Sequence, residues 1–446
     1  MAVRTQATLN LLALAAGFWL PAGAGEPGQA PDLPGVSLPR EARAFPEPLA
    51  PGRDGPGFRF RGTKGWAWTP RQYLEEIPHL AALRMNFLMN CYLSLFTEDA
   101  GGARRNEWWK PMAEERRRDY GAVIRACREQ GIDFCFCMHP QLGSPHPLDP
   151  DSPGDVDRLL QHYAWAQAQG VRWFSVCLDD VGWGAGGPAA GGAAHARLAN
   201  AILARLRGGD GGARLIVCPA AYWGDGSGAQ DRAYLGALGR ALHPDAYVFW
   251  TGDQVYCRRI TRRAAEGYRR AVGHRLFLWD NYPVNDGSPA MHLGPVRGRE
   301  PGLCEVIDGY MGNPMQTQNE ANRIPLATCA DYAYNPWDYD PGRSIGQAIV
   351  HLVEGDEPRR ALAELVGAYP GFIATGGDSR TNAVRLRFSA LAAAPAARPA
   401  AGAFVRQVEG LDARLRADFP GRFDAAKRTV ADDIAWMRRQ LGEEPR

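Results

Sequence analysis

The chain has 446 residues, of which 45% are hydrophobic and 22% are charged. This length and composition indicate a globular protein with a large core, built as one large and one smaller domain or as two to three average domains. The 51 Lys and Arg residues nearly balance the 49 acidic residues, so the charge does not indicate a nucleic-acid partner or a charged interaction tail. A small polar ligand is the expected partner.

The first 24 residues have the pattern of a secretory signal peptide. Arg4 gives a positive start, Leu9 to Leu20 form a short apolar run, and Ala22-Gly-Ala24 is a small-residue cleavage site. We expect residues 1–24 to be removed and the protein to be secreted or periplasmic. An uncleaved anchor is the weaker alternative because the apolar run is short. No later segment has the roughly 20 apolar residues of a membrane span, so none is expected in the mature chain.

Residues 25–56 are rich in Pro and Gly without periodicity, which predicts an extended linker. After this segment, short apolar runs alternate with longer amphipathic stretches, and this alternation indicates strands and helices in turn. In chain order the predicted elements are a strand at 58–65, a helix at 70–84, a strand at 85–93, a helix at 113–130, a strand at 132–140, a helix at 154–169, a strand at 171–180, a helix at 193–207, a strand at 213–222, a helix at 229–242, a strand at 246–253, a helix at 258–271, strands at 275–284 and 306–313, and a helix at 317–333.

Strands that alternate with helices form parallel sheets, and eight such units are the usual complement of a (β/α)₈ barrel. The alternative is an open doubly wound sheet. Against it, no Gly-x-Gly-x-x-Gly motif follows the first strand, and no P-loop motif is present. We therefore predict an α/β fold with a (β/α)₈ TIM barrel over residues 57–345. The strands have ended before residue 346, so a small helical domain is expected over 346–446.

Asp179 and Asp180 end the fourth predicted strand of the barrel. Active sites of such barrels lie at the carboxyl ends of the strands. Two adjacent acids suit acid/base chemistry, because like charges this close raise the proton affinity of at least one of them. For the pair alone, a helix N-cap is the competing explanation, with Gly182 to Gly187 as a loop into the next helix. The Gly- and Ala-rich stretch 184–194 is expected to be a loop over the pocket.

Polar and aromatic residues also follow most of the other predicted strands. Together they suit a carbohydrate pocket, in which fixed donors and acceptors bind hydroxyls and ring faces cover the C–H surface of the sugar. Each residue alone has a structural explanation as a turn or core residue. Their convergence on one end of the barrel is what indicates a site. The set comprises Lys64-Gly65-Trp66, His139-Pro140, Ala221-Tyr222-Trp223, Trp250-Thr251-Gly252-Asp253, the string from Trp279 to Asp286, and Gly312-Asn313-Pro314.

The nine cysteines are scattered and most lie in apolar runs, so they are interpreted as core thiols. Cys135 and Cys137 share one face of a strand, where packing is a better explanation than metal ligation. A metal-dependent hydrolase that uses His139, His146 and Asp180 is the weakest alternative, because no typical ligand spacing supports it.

Several motifs together resemble family 84 glycoside hydrolases, the retaining β-N-acetylglucosaminidases that include O-GlcNAcases and enzymes historically called hyaluronidases. The resemblance runs from about Arg61 to Ile349, and the tail also resembles the helical domain of that family. Its most specific part is the string Trp-Asp-Asn-Tyr-Pro-Val-Asn-Asp that ends at Asp286. The other matching motifs are the paired acids, Cys218-Pro219 with Tyr222, Trp250-Thr251-Gly252, Leu293-Gly-Pro, Gly312-Asn-Pro-Met315, Ile324-Pro-Leu-Ala-Thr, and Tyr334-Asn-Pro-Trp-Asp-Tyr-Asp-Pro341.

The resemblance implies hydrolysis of β-linked N-acetylglucosamine by substrate assistance, with no metal or organic cofactor. Asp179 would hold the acetamido N–H and orient the carbonyl oxygen toward the anomeric carbon, while Asp180 would act as general acid and then base. The substrate-binding residues that it implies are Gly65, where backbone would approach the sugar, Tyr222 for the acetamido oxygen, Thr251 and Trp279 for the acetyl methyl group, and Asn281, Asp286 and Asn313 for sugar hydroxyls.

The first two strands depart from the family pattern. The family usually has Glu-Gly-Phe-Tyr-Gly where this chain has Lys64-Gly-Trp-Ala-Trp68, and the segment 90–96 lacks the Lys that the family carries after the second strand. Lys64 and Lys110 are candidates to replace that cation. These departures keep open a second hypothesis, a glycan-binding barrel without catalysis. The retained Asp pair argues against it, because a lectin needs no proton donor. The natural glycan, exo or endo cleavage, and the oligomeric state stay open.

Overall fold

The computed structural model of the protein describes residues 35–49, 51–98, 104–184, 186–208, 212–393 and 398–443. The expected signal peptide lies outside these residues. In chain order the strands are Phe60–Thr63 (β1), Phe87–Met89 (β2), Thr97–Glu98 (β3), Arg104–Arg105 (β4), Asp133–Met138 (β5), Trp173–Cys177 (β6), Arg214–Cys218 (β7), Tyr247–Trp250 (β8), Arg275–Pro283 (β9) and Ile307–Asn313 (β10).

Eight of the strands in the described residues close into a parallel barrel in the order β1-β10-β9-β8-β7-β6-β5-β2, and β3 and β4 pair as a separate antiparallel ribbon. The order follows the chain around the barrel, as the predicted alternation requires. Along these strands, side chains alternate between a hydrophobic cluster inside the barrel and a larger one between the barrel and its helices. The prediction of a (β/α)₈ barrel is confirmed.

Helices surround the barrel and return the chain to the start of each next strand. The first, α1, begins with a capping box in which Thr69 accepts a hydrogen bond from the Gln72 N–H and donates its own N–H to the Gln72 side chain. A short 3-10 turn at Pro301–Glu305 stands between β9 and β10 where no helix was predicted. The helices of this layer are Pro70–Ala82 (α1), Glu114–Glu129 (α2), Pro153–Ala168 (α3), Gly187–Arg207 (α4), Ala229–Ala241 (α5), Arg262–Val272 (α6) and Asn319–Tyr334 (α7).

The helix α4 begins earlier than expected, so the prediction of a loop over 184–194 is wrong for residues 187–194. The glycines in this stretch allow close packing: a Cβ on Gly191 would lie 2.4 Å from the carbonyl oxygen of Trp183, and one on Gly192 would lie 2.3 Å from that of Tyr234. The N-cap of α4 is Gly186. The paired acids therefore do not cap this helix, and the capping explanation is also wrong.

After the barrel the chain forms helices around a second hydrophobic cluster. These helices and the segments between them contact the barrel: Gln318 donates to the Thr429 hydroxyl at 3.0 Å, and the His292 ring lies 2.8 Å from the Ser379 carbonyl. The helices are Pro341–Leu352 (α8), Asp356–Ala368 (α9), Phe372–Thr375 (α10), Ala383–Ala392 (α11), Arg398–Asp418 (α12) and Asp424–Leu441 (α13).

The described part of the predicted linker lies against α7 and α8. The N–H groups of Arg43 and Glu47 donate to the side chains of Gln347 and Asp331 at 3.1 and 2.8 Å, and Phe45 stacks on His351. Hydrogen bonds that its backbone donates to helix side chains thus fix this extended segment. None of the helices in the described residues combines the length and the apolar character needed to cross a membrane.

Candidate active site

Asp179 lies two residues after β6, at the carboxyl end of the barrel, and is buried, with 8% of its surface exposed. Its Oδ1 atom has no hydrogen-bond partner among the described residues. The pKa of this carboxyl group is raised to about 6: burial raises it most, the neighbouring Cys177 also raises it, and His139 and Lys64 lower it. A buried carboxylate with a free acceptor atom is suited to take a hydrogen bond from a ligand.

His139, directly after β5, holds the backbone of Asp179. Its Nδ1 accepts hydrogen bonds from the N–H groups of Gln141 and Leu142, at 3.3 and 3.0 Å, so the ring proton is on Nε2. Nε2 then donates to the carbonyl oxygen of Asp179 at 3.0 Å and lies 3.6 Å from its Oδ1. The imidazole therefore orients Asp179.

Asp180 differs from its neighbour in exposure and in backbone conformation. It is exposed, and its φ angle of 57° lies in the left-handed region that Asp and Asn tolerate better than most residues. The hydroxyl of Tyr222 donates to its Oδ1 at 2.9 Å. Burial raises the pKa of Tyr222, and the charges of Asp180 and Asp179 raise it further.

Lys64 brings a positive charge to the same end of the barrel. The side chain is fully buried, and its Nζ has no hydrogen-bond partner among the described residues. The ammonium lies over three aromatic rings, 3.9 Å from the centroid of Trp279, 4.3 Å from that of Trp66 and 4.6 Å from that of Tyr92. Cation–π attraction stabilises the charge in this position, while its three N–H donors remain available to a ligand.

Gly65 has a φ angle of 68°, which favours glycine. A Cβ at this position would lie 2.5 Å from the Tyr73 ring and 2.6 Å from the Trp68 ring. The Tyr73 hydroxyl lies 3.0 Å from the carbonyl oxygens of both Lys64 and Gly65, and it accepts a hydrogen bond from the Cys91 N–H. Internal packing thus requires the glycine and fixes the loop that carries Lys64.

Asn281 and Asn313 meet at the ends of β9 and β10. Asn313 donates to Oδ1 of Asn281 at 2.9 Å, and Asn281 donates to the carbonyl oxygen of Val255 at 2.8 Å. Oδ1 of Asn313 is buried and without a partner in the part of the chain that the structure describes. The strand register shifts just before Asn313, from a Gly312–Asp280 pair to an Asn313–Pro283 pair. Such a bulge changes the direction in which a nearby side chain points, here that of Asn313.

Asp286 connects this edge to the helices after the barrel. Its Oδ2 accepts hydrogen bonds from the hydroxyls of Tyr256 and Ser379, the latter at 2.9 Å. Thr251 is buried and donates to the carbonyl oxygen of Gln254 at 3.2 Å. The structure therefore places all nine predicted site residues at the carboxyl ends of strands or in the loops that follow them.

Trp279 and Tyr222 belong to the hydrophobic cluster inside the barrel, together with Cys177 and Cys218. The ring nitrogen of Trp279 is buried and unpaired within the described residues. Unpaired buried polar atoms are uncommon in folded proteins and each one needs an explanation. Among the described residues, such groups at this end of the barrel include Lys64 Nζ, Trp66 Nε1, Asp179 Oδ1, Trp279 Nε1 and Asn313 Oδ1, and a polar ligand would satisfy several of them.

The residues of the metal hypothesis are not brought together. The ring of His146 bonds to Asp155 at 3.2 Å, away from His139. Among the described residues, the potential ligand atoms that lie within 4.8 Å of one another belong to Cys177, Asp179 and Cys218. Burial raises the pKa of the Cys218 thiol well above its ordinary value. Burial also raises the pKa of the Cys177 thiol, but hydrogen bonds with the thiols of Cys137 and Cys218 lower it more, to well below its ordinary value.

The predicted site residues did not include several side chains that shape the site. His139 and Lys64 were noted at strand ends, and their position was the available signal. Tyr92 stands in the short turn after β2, and its ring packs edge-on against His139 at 4.9 Å. Ser379 comes from the segment between α10 and α11, and nothing in its sequence neighbourhood connects it to Asp286.

Known proteins resemble this chain in sequence and in fold. A family model described as beta-N-acetylglucosaminidase matches residues 64–367. The solved structure of CpGH84B matches with a TM-score of 0.68 and 20% identity, over 87% of this chain and 69% of that one. A point mutant of the O-GlcNAc hydrolase of Thermobaculum terrenum matches with a TM-score of 0.60 and 22% identity, over 86% of this chain and 94% of that one. At these identities the two structures show the fold.

The family model spans more than half of the chain and covers the barrel strands that carry the paired acids. The protein belongs to the beta-N-acetylglucosaminidase family, the family 84 glycoside hydrolases, and is a glycoside hydrolase.

Proposed function

We propose that the protein is an exported, retaining β-N-acetylglucosaminidase that cleaves β-linked N-acetylglucosamine by substrate assistance. The observation that carries this proposal is the contrast between two adjacent acids. Asp179 is buried with a free acceptor atom, whereas Asp180 is exposed and bound to Tyr222. Different environments suit two carboxyl groups to different roles in one reaction.

In the first step, the acetamido oxygen of the substrate attacks the anomeric carbon, and the bond to the leaving oxygen breaks. Oδ1 of Asp179 accepts the acetamido N–H, orients the amide and stabilises the positive charge that develops on it. This interaction is stronger in a buried site than in water. The product of the step is an oxazolinium ion on the sugar, which becomes the neutral oxazoline when Asp179 takes the N–H proton. No enzyme carboxylate has to reach the opposite face of the ring, which is why two adjacent acids suffice.

Asp180 donates its proton to the leaving oxygen in that step. In the second step it takes a proton from water, which attacks the anomeric carbon, and the acetamide is regenerated with net retention. Its exposure gives access both to the leaving group and to water. The bond from Tyr222 holds the carboxyl group on the side of the barrel mouth where Asp179 also lies.

The remaining predicted residues bind the sugar. Asn281, Asp286 and Asn313 take hydroxyl groups, and Thr251 and Trp279 surround the acetyl methyl group, as the family resemblance implies. Lys64 supplies the sugar-facing cation that this family carries after the second strand. The buried, unpaired Nζ of Lys64 supports this assignment, because a hydroxyl or carbonyl oxygen of the substrate would satisfy it.

One observation favours the second candidate, a glycan-binding barrel without catalysis. The ammonium of Lys64 lies 3.9 Å above the ring of Trp279 and covers one face of it. If that face is the one assigned to the acetyl group, Lys64 has to move when the substrate binds. In the lectin hypothesis it stays in place and the acetamide takes another position.

Release of 4-nitrophenol from 4-nitrophenyl N-acetyl-β-glucosaminide separates these hypotheses. The proposed enzyme releases it in the presence of EDTA, and nuclear magnetic resonance detects the β-anomer of N-acetylglucosamine as the first product. Binding of N-acetylglucosamine without release would support the lectin. Release that EDTA abolishes, or α-anomer as the first product, would contradict the proposed mechanism.

Export is part of the proposal and has its own test. The sequence of residues 1–24 supports a cleaved signal peptide. The mature protein from the periplasm or the medium should begin near Gly25 in N-terminal sequencing. A cytoplasmic protein that retains Met1 to Ala24 would show that the assignment is wrong.

A further inference from the structure

Two thiols and a carboxyl group meet inside the barrel, at the end that carries the proposed site. Cys177 is the last residue of β6, and its register partner is Cys218, the last residue of β7. Both belong to the hydrophobic cluster inside the barrel. Asp179 follows Cys177 by two residues. The two sulfur atoms and a carboxylate oxygen of Asp179 all lie within 4.8 Å of one another, so the three side chains form a group of potential metal ligands.

All three side chains are buried, and one of their ligand atoms lacks a partner. Cys177 and Cys218 are free thiols, which no disulfide removes from coordination. Oδ1 of Asp179 has no hydrogen-bond partner among the described residues. A buried acceptor without a partner indicates a ligand. In the proposed reaction that ligand is the acetamido N–H, and without substrate a cation can take the same atom.

The spacing of the three ligand atoms suits a tetrahedral ion. Zn²⁺ binds Cys sulfur at about 2.3 Å, so neighbouring ligand atoms in a tetrahedral site lie about 3.7 Å apart, and side-chain shifts of about 1 Å complete the site. Two neighbours orient the ligands. Sγ of Cys137 lies 3.4 Å from that of Cys177, and Nε2 of His139, which carries the ring proton, lies 3.6 Å from Oδ1 of Asp179. Such outer contacts fix the direction of metal ligands.

The charges and the ligand types also suit a divalent, thiophilic cation. Two thiolates and one carboxylate carry three negative charges, of which a divalent ion leaves one. The buried ammonium of Lys64, whose charge lowers the pKa of Asp179, offsets that remaining charge. Buried charges require such compensation. Thiolate ligands favour soft ions such as Zn²⁺ and Cd²⁺, whereas Mg²⁺ and Ca²⁺ prefer oxygen ligands.

We propose that Cys177, Cys218 and Asp179 form a binding site for a thiophilic divalent cation of the Zn²⁺ type, and that the bound ion inhibits the enzyme because it occupies the carboxylate that the acetamido N–H requires. As the two metal–sulfur bonds form, each thiol that is still protonated releases its proton to solvent. Water takes the fourth position of the ion. The inhibition rests on the proposed function, whereas the binding of the ion does not.

Cd²⁺ is the probe for binding, because Cd–thiolate bonds give an ultraviolet charge-transfer band. Titration of protein freed of metal with EDTA, and then freed of EDTA, should give a band that saturates at one ion per chain. Cys218→Ser should weaken the affinity by about tenfold or more. Two control variants should leave the band unchanged: Cys329→Ser removes a buried thiol outside the site, and Cys304→Ser removes a partly exposed one. If Cys218→Ser does not fold, Asp179→Asn gives the same test, because it removes a charged ligand and the band needs no activity.

Inhibition is measured as the rate of 4-nitrophenol release in the presence of Zn²⁺. Zn²⁺ should compete with the aryl glycoside, EDTA should restore the rate, and Cys218→Ser should require about tenfold more Zn²⁺ or more. No band in the wild type, an unchanged affinity in Cys218→Ser or Asp179→Asn, or a band lost in Cys304→Ser would overturn the site. Saturation with Zn²⁺ at full activity would overturn the inhibition. If the enzyme releases no 4-nitrophenol even in EDTA, the proposed function fails, and the Cd²⁺ titration still decides the site.

Discussion

The hydroxyl of Tyr222 donates a hydrogen bond of 2.9 Å to Oδ1 of Asp180, a residue that the chain holds in the left-handed conformation. Two facts follow for mutagenesis. Asn is tolerated in this conformation nearly as well as Asp, and its amide oxygen can still accept from Tyr222. The variant Asp180→Asn thus removes the acidic proton with little change in the backbone.

We predict that Asp180→Asn lowers kcat by about 10²–10⁴ on glycosides with poor leaving groups, which is the usual value of general acid help. On a dinitrophenyl glycoside the loss should be much smaller at the first step, because that leaving group needs no proton. Values of kcat/KM on both substrates check this, because kcat/KM reports the steps up to the departure of the leaving group and not the second step. Asp432→Asn, on the exposed side of α13, is the matched control and should retain wild-type activity. An equal loss on both substrates would show that Asp180 is not the acid.

The pH dependence should report Asp179. Its pKa is raised to about 6 by burial, and the proposed role requires the ionised form, which accepts the acetamido N–H. Below about pH 6 the carboxyl group is protonated, so kcat/KM should fall by about tenfold per pH unit. A profile measured between pH 4 and 8 checks this. A flat profile down to pH 4 would show that the reaction does not require the ionised form of Asp179.

The same shift predicts an effect on stability. Because the pKa of Asp179 rises on folding from 3.8 to about 6, the folded state binds the proton more tightly than the unfolded state. Ionisation therefore destabilises the fold as the pH rises from 4 to 6, by at most about 3 kcal/mol. Asp179→Asn should raise the free energy of unfolding at pH 7 by about 1–3 kcal/mol and change it less at pH 4.5. Urea titrations of both proteins at both pH values measure it, and a gain over wild type that is no larger at pH 7 than at pH 4.5 would contradict the expectation.

Lys64 offers an independent check on Asp179. Its charge lowers the pKa of that carboxyl group, so Lys64→Met should move the acidic limb of the rate profile to higher pH. Met is unbranched and packs readily against aromatic rings, which makes it a suitable occupant of the space between Trp66, Tyr92 and Trp279. Lys64→Arg keeps the charge and should leave the limb in place. If both variants leave it in place, the electrostatic coupling is absent.

The sequence predicted the barrel well because its buried strands are continuous apolar runs with polar residues at their ends. It predicted strand lengths less well. The second strand was expected over 85–93 and ends at Met89, because the side chain of Asn90 takes over the hydrogen bonds to Cys137 that a longer strand would make with its backbone. When a side chain makes the hydrogen bonds that strand backbone would otherwise make, the hydrophobic pattern of the sequence does not change.

Site residues whose role follows from their place in a motif could be predicted from the sequence. Contacts with residues far away in the chain could not. Asn281 and Asp286 were assigned through the string that contains them. The contact of Asp286 with Ser379 joins residues that lie 93 positions apart, and no local signal indicates it. The glycines of α4 were interpreted as a loop because their close packing against Trp183 and Tyr234 is a tertiary feature.

Asp280 lies in the string from Trp279 to Asp286, but its role depends on distant partners and could not be predicted from the sequence. It supports a last prediction. It lies next to Asn281 but is fully buried against Arg299, with N–O distances of 2.6 and 2.8 Å, and accepts a third bond from Tyr310. Removing the negative partner leaves the guanidinium buried without compensation, which costs about 3–5 kcal/mol. Asp280→Asn should therefore lower the free energy of unfolding by about that amount.

The matched control is Asp308→Asn. Asp308 pairs with Arg275 at 3.7 Å, where both side chains are more than a third exposed, so the change should cost no more than about 1 kcal/mol. Denaturant unfolding of the two variants measures the difference directly. Similar losses in both would mean that Asp280 does not serve as the fixed support of β9. A large loss confined to Asp280→Asn would show that its buried pair with Arg299 is a main support of β9, the strand that carries Trp279 and Asn281.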